Sequence, residues 1–332
     1  MLITKLPSVL KNLLQTGNEL RRTDEEKKCL QAFRTAGVSY EAQKDINPKR
    51  VPETWLWFLE NPRFLDWRDK STSSLLWVTA DPGCGKSVLS KALVDEQLLD
   101  SDPENATICY FFFKDISDEQ RSAMRALSAL LHQLFSSEKS AALIKHAMPD
   151  FNKNGENISN LFEVMWTIIE KIAMDPESGK IVFLLDALDE CQTSAQSHLI
   201  TKLKELEYKS IRRSPIKINL KFLVTSRPYW EIEDQFRSLT NDVPSIELRG
   251  EEESEVIRKE IDHVIRAEVS RLSDRIPSPK AQNLLLRRFL EVENRTYLWL
   301  RLVLDIIKRK PRVATSTIED LMRKLPDTVH KA

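Results

Sequence analysis

Glycine and cysteine are both scarce in this chain of 332 residues, which contains 7 glycines and 4 cysteines. The cysteines show neither a C-x-x-C pair nor a spacing typical of metal ligands, and they are Cys29, Cys84, Cys109 and Cys191. This distribution argues against a disulfide framework and is typical of a reducing compartment. We therefore expect a cytoplasmic protein.

Net charge and long apolar runs are lacking as well. The 50 Lys and Arg residues balance the 50 Asp and Glu residues, so the formal net charge of zero offers no support for nucleic-acid binding. The most apolar long segment, residues 297–307, is too short to span a bilayer and includes Arg301 and Asp305. We expect neither a nucleic-acid partner nor a membrane contact.

Two of the 7 glycines stand in one loop, in the run W-V-T-A-D-P-G-C-G-K-S at residues 77–87. An apolar strand, a glycine-containing loop and a helix follow one another there, which is the order found in phosphate-binding loops. Glycines let successive amide groups face phosphate oxygens, and the following lysine and hydroxyl contact the phosphates and Mg²⁺. An alanine replaces the usual first glycine of the motif. The predicted nucleotide-binding residues are Ala80, Asp81, Pro82, Gly83, Cys84, Gly85, Lys86 and Ser87.

A second motif, I-V-F-L-L-D-A-L-D-E, occupies residues 181–190. Its apolar run predicts a strand buried on both faces, with Asp186 at the carboxyl end, where ligands bind in open parallel sheets. An aspartate there holds Mg²⁺ in P-loop enzymes, so Ser87 and Asp186 are the predicted magnesium ligands. Asp189 and Glu190 follow one turn later, and either carboxylate could orient or deprotonate the attacking water; we favour Glu190.

A third motif, K-F-L-V-T-S-R-P, follows at residues 221–228. Its strand brings Arg227 to the same edge of the predicted sheet, where an arginine can reach a terminal phosphate. The alternative is that Arg227 stacks on Tyr229 or Trp230. The predicted catalytic residues are therefore Lys86, Asp186, Asp189, Glu190 and Arg227.

The apolar runs between helical segments predict a parallel sheet with strands at 75–79, 107–113, 181–186, 220–225 and 245–248. Intervening helices are predicted at 88–99, 118–135, 160–173 and 194–208. Ser117 and Gln120 have capping-box spacing, so the second of these helices is expected to begin there. Its predicted buried face consists of Met124, Leu127, Leu131 and Leu134.

Helical patterns dominate at both ends of the chain. Two helices are predicted before the sheet, at 6–14 and 25–33, and an aromatic-rich helical segment follows at 55–67. Its aromatic side chains could form a base-binding surface, although packing against the sheet is the favoured interpretation. After Gly250 the strand pattern ends, and helices are predicted from 251, from Ser278, at 297–308 and at 316–324.

The motifs A-D-P-G-C-G-K-S, F-L-L-D-A-L-D-E-C and F-L-V-T-S-R-P, followed by a helical region, resemble those of the NACHT NTPases of the STAND class. The nearest likeness is to the nucleotide-binding core of fungal NOD-like receptors. It extends over residues 45–326 and includes Y-F-F-F-K at 110–114 and Y-L-W-L-R-L-V-L at 297–304. The resemblance assigns the Walker A lysine and hydroxyl to Lys86 and Ser87, the Walker B aspartate to Asp186 and the sensor arginine to Arg227.

The resemblance implies an α/β fold of the P-loop NTPase class, with a parallel five-stranded sheet in the order 5-1-4-3-2 flanked by helices. A small all-helical domain is expected to follow. The implied domains are a helical extension over 1–45, a NACHT nucleotide-binding domain over 46–250 and a helical domain over 251–332 that stops before a winged-helix domain. Family members are multidomain switches, and effector or sensor domains are not visible in this chain.

The function implied by the resemblance is a switch that binds ATP with Mg²⁺, holds ADP at rest, hydrolyses ATP slowly and forms homo-oligomers on activation. ATP is favoured over GTP because the chain contains no N-K-x-D segment. Other functions stay open, namely a scaffold that binds nucleotide without hydrolysis, a truncated inactive NACHT core and, with less support, a P-loop kinase. The chain also lacks the proline by which related proteins hold the adenine base, and N-R-T-Y stands in that region at 294–297.

Overall fold

The computed structural model describes residues 22–36, 39–69, 74–212, 220–237, 245–248, 255–292, 296–309 and 318. The predicted helix at 6–14 lies outside the described residues, and so does the one at 316–324 apart from Ile318. The division of the chain at residues 45 and 250 stays a prediction.

Five parallel strands form the central sheet. They are β1 Ser74–Ala80, β2 Ala106–Phe112, β3 Lys180–Asp186, β4 Leu220–Ser226 and β5 Ser245–Leu248. Their spatial order is β2-β3-β4-β1-β5, which is the predicted order 5-1-4-3-2 viewed from the other edge. The predicted fold class is therefore confirmed, and each strand lies within one residue of its predicted ends.

Helices precede, connect and follow these strands. The α-helices described before the sheet are α1 Asp24–Ala36, α2 Tyr40–Asp45, α3 Leu56–Leu59 and α4 Pro62–Asp69. Those described between β1 and β5 are α5 Lys86–Asp95, α6 Ala123–Ser136, α7 Met148–Asn154, α8 Phe162–Ala173, α9 Thr193–Arg212 and α10 Trp230–Arg237. The described helices after the sheet are α11 Glu255–Arg271, α12 Pro279–Glu291 and α13 Tyr297–Lys308.

The inner strand β3 is buried on both faces because helices cover both sides of the sheet. Successive side chains of a strand point to opposite faces. Accordingly, Phe183 and Leu185 join the apolar cluster on the side of α1, α6 and α8, whereas Val182 and Leu184 join the cluster on the side of α5. This burial fixes Asp186 at the carboxyl edge of a rigid strand.

The aromatic segment before β1 packs against the sheet, as the favoured interpretation predicted. Phe58, Phe64 and Trp67 are fully buried and share a cluster with Leu76 and Val78 of β1. The rings of Phe58 and Phe64 lie 4.8 Å apart. The segment thereby supports the strand that leads into the phosphate-binding loop.

The predicted start of α6 is wrong. The helix begins at Ala123, and its N-cap is Ser122, whose hydroxyl accepts a hydrogen bond from the amide of Arg125 over 3.4 Å. Ser117 does accept a bond from the amide of Gln120, but that contact closes a separate turn upstream of the helix. Met124, which was placed on the buried face, is 39% exposed because it lies in the first turn.

Helices α11, α12 and α13 enclose an apolar core of their own. It includes Ile261 and Ile265 of α11, Phe289 of α12 and Trp299 of α13. The rings of Phe289 and Trp299 meet edge to face at 5.6 Å. Among the described residues, no helix combines the length and the apolarity that crossing a bilayer requires.

Candidate nucleotide-binding site

The loop between β1 and α5 has the backbone of a phosphate cradle. Gly83 and Gly85 adopt φ values of 81° and 79°, a left-handed conformation that side chains disfavour. In the part of the chain that the structure describes, the amides of Gly83, Gly85, Lys86 and Ser87 donate to no protein acceptor. Free amides at the N-terminus of a helix form a site for an anion.

Lys86 folds back over the loop. Its ammonium donates to the carbonyl of Ala80 over 2.5 Å and to that of Asp81 over 3.3 Å. Burial lowers its pKa, and the nearby carboxylates of Asp189 and Asp186 oppose that effect. The side chain therefore lies at the loop as a cation that a phosphate can draw away from the two carbonyls.

The Ser87 hydroxyl and the Asp186 carboxylate meet beneath the loop. The Oγ of Ser87 donates to Oδ2 of Asp186 over 2.6 Å. The other oxygen, Oδ1, accepts from Ser90 over 2.7 Å and from Thr225 over 2.8 Å. These three hydroxyls fix the orientation of a carboxylate that is fully buried.

These residues fit a magnesium ion. Mg²⁺ prefers hard oxygen ligands, and it is held in proteins by one or two such groups together with substrate phosphates and water. Ser87 and Asp186 supply a hydroxyl and a carboxylate oxygen at adjacent positions, next to amides that can hold phosphate.

Asp189 and Glu190 have different partners. Asp189 pairs with Arg227, since Oδ2 lies 3.1 Å from Nε and Oδ1 accepts from the amide of Arg227 over 3.0 Å. Glu190 accepts a hydrogen bond from the amide of Asp115 over 2.9 Å, and burial raises its pKa. Among the residues that the structure describes, no cation forms an ion pair with the Glu190 carboxylate, whereas Arg227 holds that of Asp189, and the preference for Glu190 as the base stays a prediction.

Arg227 lies at the carboxyl end of β4, as the sequence predicted. Besides Asp189, it contacts Tyr229: Nη1 donates to the phenol oxygen over 2.9 Å, and Cζ lies 5.9 Å from the ring centre. The contact with Tyr229 that the alternative interpretation predicted is thus present. Its side chain is still 37% exposed and lines the same cleft as Lys86.

A cleft of about 750 Å³ connects these groups. The loop and the strand ends line it, together with residues from 45–55 and residues of α11 and α13. The predicted site residues that line it are Pro82, Gly83, Gly85, Lys86, Ser87, Asp189, Glu190 and Arg227. Ala80, Cys84 and Asp186 are buried behind this surface, and Asp81 is exposed outside it. Burial also raises the pKa of the Cys84 thiol to about 11.

Residues distant in sequence cover the loop from the helical side. The rings of Trp55 and Tyr297 stack at 5.7 Å, and both line the cleft. Glu260 of α11 joins them, accepting hydrogen bonds from the Trp55 amide and, over 3.3 Å, from the Tyr297 hydroxyl. The sequence did not predict this contact, although Tyr297 lies in the segment where related proteins have the proline that this chain lacks.

The family model described as Nephrocystin 3, N-terminal matches residues 53–227. Among curated proteins, the chain is 28% identical over 258 residues to the vegetative incompatibility protein HET-E-1 of Podospora anserina. The match covers 76% of this chain and 18% of that protein, so the chain spans less than a fifth of the length of this relative.

The solved structures to which the chain is similar share little sequence identity with it. The ORC2 protein of Aeropyrum pernix, solved as ADPNP–ADP complexes, superposes with a TM-score of 0.45 at 11% identity, covering 86% of this chain and 66% of that one. PCH-2 of C. elegans superposes with a TM-score of 0.42 at 13% identity, covering 90% and 66%.

Proposed function

The chain belongs to the family described as Nephrocystin 3, N-terminal, and from that premise we propose that it is an ATP-binding molecular switch of the NACHT type. In this proposal it binds ATP with Mg²⁺, hydrolyses it slowly and holds ADP in the resting state. The bound nucleotide sets the conformation of the helical region and controls homo-oligomerisation, in the cytoplasm.

One observation carries this proposal. Lys86 and Ser87 at the start of α5, Glu190 after β3 and Arg227 after β4 all line one cleft. Parallel strands bring these side chains to the same edge of the sheet although they are distant in sequence. Phosphate-binding amides, a magnesium ligand pair, a carboxylate base and an arginine together form the set of groups that phosphoryl transfer to water requires.

Each group has a distinct role in the proposed mechanism. The loop amides and Lys86 bind the phosphates, and Ser87 and Asp186 hold the magnesium ion. The ion, when bound, offsets the charge that develops on the phosphate oxygens. Glu190 orients the attacking water and accepts its proton. The terminal phosphate competes with Asp189 for the guanidinium of Arg227, which then contacts that phosphate.

The helical region supplies the conformational part of the switch. Thr296 and Leu298, at the start of α13, lie so close to Gly83 that a β-carbon there would be 3.1 Å from Thr296 Oγ1 and from Leu298 Cβ. The start of α13 therefore lies directly against the loop, and in this proposal a rearrangement of the loop around phosphate shifts α13.

Nucleotide affinities test the proposal. Lys86→Ala should abolish binding of ATP and ADP, measured by calorimetry with and without Mg²⁺, while the wild-type protein binds both. Tight binding by the variant would overturn the assignment of the loop. If the protein binds GTP and not ATP, the nucleotide assigned to the site is wrong. If it assembles on nucleotide binding without hydrolysing the nucleotide, the result favours a scaffold over an NTPase.

A further inference from the structure

Most cationic side chains that line the cleft are engaged by protein oxygen atoms. The engaged cations are Arg50, Lys86, Arg227, Arg271 and Lys308. Others on the cleft wall make no side-chain hydrogen bond or ion pair within the described part of the chain: Lys49, Lys114 and Arg301. Lys49 and Arg301 are exposed, whereas Lys114 is half-buried. An ammonium that loses water without gaining a protein acceptor is held at an energetic cost.

The backbone places Lys114 beside the magnesium-binding strand. Lys114 comes two residues after the end of β2, and the intervening Phe113 donates its amide to the carbonyl of Asp186 over 3.0 Å. The amide of Lys114 itself donates to the carbonyl of Gln120 over 3.2 Å. These bonds hold the Lys114 backbone next to that of Asp186 on the neighbouring strand.

The next residue ties the same segment to the proposed base. The amide of Asp115 donates to Oε2 of Glu190 over 2.9 Å. Burial raises the pKa of Glu190, and the positive charge of Lys114 partly opposes that effect, which places the two charges near each other. Lys114 and Glu190 therefore lie near each other in the cleft, and the proposed mechanism places the reacting phosphate beside Glu190.

Of the described cations that interact with Glu190 or Asp189, Lys114 is the one whose side chain has no protein acceptor. Arg227 is already paired with Asp189, and Lys86 donates to two loop carbonyls. A terminal phosphate would bring further negative charge next to Glu190, where repulsion between like charges is costly. Lys114 can offset that charge without first giving up a protein partner.

We propose that the ammonium of Lys114 binds the terminal phosphate of a nucleoside triphosphate and makes the site prefer triphosphate to diphosphate. This inference rests on the proposed nucleotide-binding function and assigns its specificity to one further residue. Lys114 contacts the terminal phosphate, which ATP has and ADP lacks. It therefore increases the affinity for ATP and leaves the affinity for ADP unchanged.

The test compares Lys114→Ala, Lys114→Arg and Lys49→Ala by calorimetry with ADP and with the non-hydrolysable analogue ADPNP, in Mg²⁺. Lys114→Ala should weaken ADPNP binding about tenfold, the effect of losing one charge-assisted hydrogen bond, and leave ADP binding within about twofold. Lys114→Arg should retain the preference for ADPNP. Lys49→Ala removes another unpartnered cation from the cleft wall and should leave the ratio of the two affinities unchanged.

The outcomes separate this inference from the function on which it rests. If Lys86→Ala abolishes binding but Lys114→Ala leaves the ratio of affinities unchanged, the inference is wrong and the proposed function stands. If Lys114→Ala and Lys49→Ala lower the ratio equally, the effect is a general attraction and the inference is also wrong. If Lys86→Ala binds both nucleotides as the wild type does, the proposed function fails. Melting curves establish that each variant is folded.

Discussion

The indole of Trp55 closes the phosphate-binding loop at Gly85. A β-carbon on Gly85 would lie 2.9 Å from Cζ2 of Trp55, a distance that real β-carbons essentially never show. Trp55 is almost fully buried and stacks on Tyr297, whose ring would meet the same β-carbon at 3.1 Å. Glycine is therefore required at position 85 both by its backbone conformation and by the aromatic rings that cover it.

Substituting Gly85 should therefore lower the free energy of unfolding by more than the strain of the left-handed backbone alone. Gly85→Ala forces a side chain into the left-handed region, which costs about 1–2 kcal/mol, and also displaces the ring of Trp55. The measurement is the free energy of unfolding from urea titration. We expect a loss of roughly 3 kcal/mol, the sum of the backbone and overpacking costs.

Gly179→Ala is the control for that measurement. Gly179 also has a positive φ, 65°, but nothing lies within 4 Å of its hypothetical β-carbon. It should lose only the backbone contribution of about 1 kcal/mol. Equal losses in the two variants would show that Trp55 does not constrain the loop.

The two serines that donate to Asp186 should separate magnesium binding from carboxylate orientation. Ser87 donates to Oδ2 and Ser90 to Oδ1 at nearly equal distances, 2.6 and 2.7 Å. Ser87→Ala removes a proposed magnesium ligand, so Mg²⁺ should no longer increase the affinity for ATP. Ser90→Ala removes only a hydrogen bond, and the increase should persist. Calorimetry with and without Mg²⁺ measures both, and the same loss in both variants would contradict the role given to Ser87.

Replacing the proposed base should slow hydrolysis without preventing binding. Glu190→Gln keeps the acceptor for the Asp115 amide but cannot take a proton, so the turnover rate should fall about 100-fold or more. Glu119→Gln is the control, because Glu119 is an exposed carboxylate of the adjoining turn. Phosphate release and ATP affinity are measured on each variant, and unchanged turnover in Glu190→Gln would remove this residue from the mechanism.

The pH dependence of turnover should carry the signature of Glu190. Burial raises the pKa of this carboxyl above its ordinary value of 4.5. A base works only when deprotonated, so the turnover rate should rise with pH through that raised pKa and then level off. This rise should be absent from the residual activity of Glu190→Gln. A turnover rate that falls over the same interval would indicate that the carboxyl acts as an acid.

Glu260 should make stability fall as pH rises. Burial raises its pKa above 4.5, so the folded protein binds this proton more tightly than the unfolded chain does. Its contribution to stability is therefore full below pH 4.5 and is lost as the pH rises through the folded-state pKa. The melting temperature of Glu260→Gln relative to wild type should increase over that interval.

Glu255→Gln, on the same helix, should show a pH dependence of the melting temperature of opposite sign to that of Glu260→Gln. Its hydrogen bond with Lys259 lowers the pKa of Glu255, so the wild-type carboxyl contributes stability that is present above the ordinary pKa and lost as pH falls. The melting temperature of this variant relative to wild type should decrease slightly with rising pH, because the exposed pair is screened. The same trend in both variants would contradict the assignment of the effect to burial of Glu260.

Much of the candidate site could be predicted because its residues are adjacent in sequence to strands. The resemblance to the NACHT class is confirmed by the family match, and the strand order is confirmed by the sheet. A parallel sheet carries any residue at a strand's carboxyl end to one edge, so buried strands located Lys86, Asp186 and Arg227 without knowledge of any contact. The roles of these residues stay predictions.

Partners separated along the chain could not be predicted in this way. Nothing near Asp189 or Glu190 in sequence shows that the first pairs with Arg227 and the second with the amide of Asp115. The start of α6 was misplaced for a related reason, since Ser117 and Ser122 both form the local hydrogen bond of an N-cap and only the surrounding packing selects one.

The sequence alone determined the local form of the loop between β1 and α5, because the order of its glycines dictates the left-handed backbone conformation that precedes the helix. Only the tertiary structure decided what covers that loop. Glu260 and the amide of Trp55 stand 205 residues apart and meet because two separate apolar cores bring α11 and the segment before β1 together. The hydrophobic effect is not directional. A pattern of apolar residues therefore predicts that a face is buried, but it does not predict which residues cover that face.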